Sequence, residues 1–100
     1  MIDIIENKKN QLKNLSEKYQ VKELYVFGSV NSNNFHETSD IDFLVSFKEM
    51  PLLDYSDNYF NFQDELGKLF ERKIDLVIDK SITNPYLKSS IEKTMQIIYG

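Results

Sequence analysis

Phe27-Gly28-Ser29, then ten residues, then Asp40-Ile41-Asp42-Phe43-Leu44-Val45-Ser46-Phe47 is the stretch that decides the fold. An apolar run, Leu24-Tyr25-Val26-Phe27, leads into the Gly-Ser pair and reads as a strand buried on both faces. A polar segment over 30–39 reads as an exposed loop. Residues 41–47 read as a second strand. Side chains alternate along a strand, so Asp40 and Asp42 point to one side, about 6.5–7 Å apart at Cα. Ile41, Phe43, Val45 and Phe47 point to the other, which is uniformly apolar and therefore core. Two acids on one face repel unless a positive charge lies between them, and a hard divalent cation such as Mg2+ takes carboxylate and phosphate oxygens together. Gly28 allows close backbone approach to a ligand, and Ser29 adds a hydroxyl and an N–H where such turns hold phosphate.

Downstream, Tyr55, Tyr59, Phe62, Leu66 and Leu69 recur every three or four residues after Pro51, with Leu52 leading, and predict an amphipathic helix over 52–69. Gly67 weakens that helix by about 1 kcal/mol relative to Ala. Residues 73–79 predict a third strand with Ile74, Leu76 and Ile78 on one face and Asp75, Val77 and Asp79 on the other. Thr83 or Asn84 is placed to cap a last helix with Pro85 just inside it, its buried edge formed by Leu87 and Ile91. Met95 to Tyr99 reads as a short final strand. Upstream, residues 2–19 read as one helix, with Ile5, Leu12, Leu15 and Tyr19 inward and a lysine-rich, solvated outer face. The order helix, strand, strand, helix, strand, helix, strand predicts an α/β (α+β) fold, a mixed β-sheet with helices packed against it, as one domain over 1–100. The loop over 30–39 is long enough for either pairing direction of the first two strands.

Asp75 is an acid between core residues. If its strand lies beside that of Asp40 and Asp42, three carboxylates gather, and two Mg2+ ions would neutralise them in the arrangement used for in-line displacement at phosphorus. Each acid alone has a plainer reading. Asp40 could simply open a strand, Asp42 could be a solvated strand residue, and Asp75 could be an edge charge against aggregation. Their joint spacing with Gly28-Ser29 favours a site. His36, the sole histidine, falls in the polar loop and reads as exposed.

Gly28-Ser29-x10-Asp40-x-Asp42 resembles the signature of the DNA polymerase beta-type nucleotidyltransferase superfamily. The length of the chain and its close, Asn84-Pro85-Tyr86-Leu87 through Ile97-Ile98-Tyr99-Gly100, resemble the minimal members, the antitoxin halves of HEPN/MNT toxin–antitoxin pairs. The resemblance runs from about Val21 to Gly100. It implies catalytic and metal-holding roles for Asp40, Asp42 and Asp75, and a nucleotide-binding role for Gly28 and Ser29. It also implies ATP as substrate and a HEPN-domain toxin as partner, silenced by transfer of AMP to a tyrosine. Many relatives carry an arginine soon after the Gly-Ser pair. Here Val30-Asn31-Ser32-Asn33-Asn34 follow instead.

The net charge of −4 and pI near 4.9 argue against a nucleic-acid-binding surface and favour a basic protein or a small molecule as partner. The absence of cysteine excludes disulfides and zinc–thiolate sites. With no signal-peptide pattern and no run of roughly 20 apolar residues, a cytoplasmic protein is expected, without membrane attachment. Exposed aromatics leave a homodimer or a heteromer open. Two other functions fit the same residues: an antitoxin that acts by docking alone, and a nucleotidyltransferase for a small-molecule acceptor.

Overall fold

The computed structural model describes residues 3–28 and 40–100. In chain order they form α1 (Asp3–Glu6), α2 (Lys9–Lys18), β1 (Val21–Phe27), β2 (Ile41–Phe47), α3 (Leu52–Phe70) and β3 (Ile74–Ile78). A 3-10 turn (Asp79–Ser81), α4 (Pro85–Thr94) and β4 (Gln96–Tyr99) complete them. The sheet order is β3-β2-β1-β4. β1 pairs antiparallel with β2 and β4, while β2 and β3 run parallel. A parallel neighbour requires a crossover, and α3 supplies it.

One sheet face carries Leu24, Val26, Ile41, Phe43, Val45, Ile74 and Leu76, all at most 5% exposed. They pack with Ile5, Leu12, Phe62, Leu66 and Phe70 of the helices. The aromatic contacts within this layer are offset or edge-on, as the ring quadrupole favours: Phe43–Phe70 and Phe47–Phe62 have centroids 5.9 Å apart. α3 is also tied to the free edge of β3. The Tyr59 hydroxyl donates to the Leu76 carbonyl, and Gln63 Nε2 donates to the Ile74 carbonyl at 3.2 Å. These bonds satisfy outward-facing strand groups that would otherwise offer a pairing edge, and they fix β3 on either side of Asp75. Burial, then the charge of Asp75 and then Tyr55, push the Tyr59 hydroxyl above its ordinary pKa, so it remains a donor near neutral pH.

The opposite sheet face is only partly covered. Leu44 of β2 and Ile91 of α4, each 5% exposed, help line a cleft of about 230 Å³ together with Tyr25, Asp79 and Met95. The start of α4 is set by Asn84, whose Oδ1 accepts from the N–H groups of Tyr86 at 2.9 Å and Leu87 at 3.4 Å, with Pro85 following. Asn84→Ala is expected to lower unfolding stability by about 1 kcal/mol, as measured by urea titration.

Several sequence expectations are corrected. The single helix over 2–19 divides into α1 and α2 at Asn7-Lys8. β1 starts at Val21 rather than Leu24, with a register shift opposite β2 at Lys22. Asp79 lies in the 3-10 turn, not on β3. Leu52 (85% exposed) and Leu87 (51%) are not core, since α3 packs from Tyr55 onward and the buried residue of α4 is Ile91. Met1, Ile2, Ser29 and the loop over 30–39 with His36 lie outside the described residues. Among those described, no helix is long and apolar enough to cross a membrane.

Candidate active site

β1 ends at Phe27, which sits opposite Asp42 in the antiparallel register. The next residue, Gly28, has φ +74°, a conformation that side-chain-bearing residues rarely adopt. A Cβ at Gly28 would collide with Oδ2 of Asp42. The left-handed backbone calls for glycine, and an added Cβ would also force the Asp42 carboxylate to shift. The turn is also held from outside: the Gly28 N–H donates to Thr94 Oγ1 at 3.4 Å, at the last residue of α4.

The parallel register of β2 and β3 is Ile41 with Ile74, Asp42 with Asp75, and Phe43 with Leu76. Asp42 and Asp75 thus occupy facing positions on adjacent strands, about 4.8 Å apart in the strand-pairing direction. Asp42 is half-buried and Asp75 exposed, while the residues flanking each are buried. Asp40 lies one residue before β2 and is exposed. The Lys73 ammonium approaches Asp40 Oδ2 at 3.9 Å, and the Ile41 N–H donates to the Lys73 carbonyl at 3.2 Å. The structure therefore brings Gly28, Asp42 and Asp75 together, with Asp40 two residues from Asp42 along the same strand end. Ser29 falls outside the described residues.

The donor set suits a hard divalent cation, since it consists of carboxylate oxygens on one face, one of them beside a turn stripped of its Cβ. Among the described residues, no three acidic, His or Cys side chains already converge on one point. The carboxylates stand side by side through register rather than as a closed cage. Two neighbours were not legible as site residues in the sequence. Thr94 is distant in the chain, 66 positions beyond Gly28. Lys73 could be found only once the register was known.

A mixed sheet with paired strand-borne carboxylates beside a glycine turn defines a nucleotidyl-transfer fold. The chain belongs to the nucleotidyltransferase domain family, whose sequence model matches residues 8–98, and it is an enzyme of that family. It is 46% identical over 93 residues to a candidate protein adenylyltransferase of Methanocaldococcus jannaschii, covering 93% of this chain and 89% of that protein. It is 36% identical over 89 residues to the protein adenylyltransferase MntA of Thermococcus cleftensis, covering 87% and 82%. In fold it is similar to a candidate minimal nucleotidyltransferase, with a TM-score of 0.75, 23% identity and 95% of each chain covered. It is also similar in fold to a chain of a toxin–antitoxin complex with AMP-PNP, at TM-score 0.70 and 20% identity over 92% of this chain and 73% of that one.

Proposed function

We propose that this chain is an antitoxin that transfers AMP from ATP to a tyrosine of a HEPN-type ribonuclease and so silences it. The facing register of Asp42 and Asp75 beside Gly28 carries the reading. The relatives named as protein adenylyltransferases support it. So does the likeness in fold to a complex between an MNT antitoxin and a tri-AMPylated HEPN toxin of Shewanella oneidensis (TM-score 0.61, 16% identity, 95% of this chain and 71% of that one).

In this reading Asp40, Asp42 and Asp75 hold Mg2+, which when bound neutralises the triphosphate and the departing pyrophosphate. Gly28 and Ser29 offer backbone and hydroxyl donors to the terminal phosphates. Asp75 favours deprotonation of the tyrosine hydroxyl. That oxygen attacks the α-phosphorus and forms a new P–O bond as the bond to pyrophosphate breaks. In this reading the partner protein supplies the acceptor tyrosine.

The test is intact-mass spectrometry of the neighbouring HEPN-type protein after incubation with this chain, ATP and Mg2+. Mass increments of whole AMP units are expected. They should vanish when EDTA is present in excess over Mg2+ and return when Mg2+ is restored. An unmodified toxin that stays silenced in the complex would instead establish docking alone. That second reading has one observation in its favour: Leu53 (90% exposed), Tyr86 (86%) and Phe60 (62%) present apolar surface to solvent.

A further inference from the structure

Between Phe27 and Lys48 the chain contains no lysine or arginine. In sequence this stretch offers acids and one histidine but no permanent cation for a polyanionic ligand. The register supplies what this stretch lacks. With Ile41 beside Ile74, the next step towards the strand starts places Lys73 beside Asp40. The bond from the Ile41 N–H to the Lys73 carbonyl pins the lysine backbone at the mouth of the carboxylate face.

The side chain is held far more loosely. The Lys73–Asp40 separation of 3.9 Å is at the outer limit of an ion pair, and the two side chains are 80% and 47% exposed. Such a pair contributes little to stability, and a lysine on its four-carbon stem re-aims at small cost. Resting on the nucleotidyltransferase reading of this site, we infer that Lys73 is a nucleotide-binding residue that contacts the β- and γ-phosphates of the incoming triphosphate. In the free chain its ammonium screens Asp40. When Asp40 is engaged at the site, the ammonium turns to the phosphate oxygens.

The test is calorimetric titration of the full chain, in Mg2+ buffer at low salt, with AMP-PNP and separately with AMP. Lys73→Ala is expected to weaken AMP-PNP binding about three- to tenfold, a range set by one partly screened charge-assisted contact. AMP binding should be unchanged, because AMP lacks the phosphates that Lys73 meets. Lys73→Arg should restore AMP-PNP affinity to within about twofold, and 0.5 M salt should shrink the difference between unmutated and Lys73→Ala chains. Equal AMP-PNP affinity of the unmutated and Lys73→Ala chains, or an equal loss for AMP, overturns the assignment of Lys73. Absence of AMP-PNP binding by the unmutated chain overturns the nucleotide site itself, and the Lys73 role with it.

Discussion

Asp42→Asn is expected to reduce AMP transfer at least about a hundredfold while the chain stays folded, the scale seen when one preorganised electrostatic group is removed from a transition state. Asn keeps the shape of the side chain and one oxygen, so the close fit against Gly28 is preserved. What is lost is one charge of the facing Asp42–Asp75 pair, which in the proposed function holds the cation. Asn is nearly isosteric with Asp and the buried core is untouched, so the melting temperature should change little. The pattern of lost modification with retained stability separates a catalytic carboxylate from a structural one. Rates come from intact-mass time courses on the HEPN-type partner, and melting from circular dichroism. Persistence of the AMP increments at an undiminished rate would remove Asp42 from the machinery.

Asp75→Asn is a weaker test. Asp75 is exposed, whereas Asp42 is half-buried and closed in by the turn. The carboxylate with less room to be replaced by water or by a neighbour should matter more.

The parts of this site that sequence revealed are those governed by local periodicity. β2 was legible at both ends because Ile41, Phe43, Val45 and Phe47 alternate with Asp42 and Ser46, with Leu44 the one apolar residue on the other face. α3 was legible because Tyr55, Tyr59, Phe62 and Leu66 keep helical spacing and Pro51 stops the chain before them. What local pattern cannot encode is which strands meet. The loop over 30–39 left the direction of the β1–β2 pairing open, and no local pattern put β3 beside β2, so the facing of Asp42 with Asp75 emerges only from the parallel register across the α3 crossover. Lys73 was hidden for the same reason, since its nearness to Asp40 is a fact of register. Val21-Lys22-Glu23 was missed because two charged residues mask a strand whose inward residue, Val21, is fully buried. Leu87 misled in the other direction, because apolar spacing on α4 identifies a face but not whether the helix reaches the sheet along its whole length.

A second large effect is expected from one methyl group at Gly28. Gly28→Ala must place a side-chain-bearing residue at φ +74°, which costs about 1–2 kcal/mol. Its Cβ must also displace the Asp42 carboxylate that occupies the same space. For a domain of this size the backbone cost corresponds to a fall in melting temperature of about 4–16 °C. The displaced carboxylate should lower AMP transfer about a hundredfold, the scale associated with a misplacement near 1 Å at a reacting centre. The same substitution at Gly67 provides the control. Gly67 lies inside α3, its φ is ordinary, and the nearest atom to an added Cβ is the Arg72 carbonyl oxygen at 3.6 Å, a normal contact. Gly67→Ala should therefore stabilise the chain by about 1 kcal/mol through helix propensity and leave transfer unchanged. One chemical change with opposite signs at two glycines isolates the geometry of the turn from any general effect of adding a methyl. Equal activity of Gly28→Ala and the unmutated chain would show that the Asp42 carboxylate can occupy another position without loss, and the close fit of turn and acid would then have no part in catalysis.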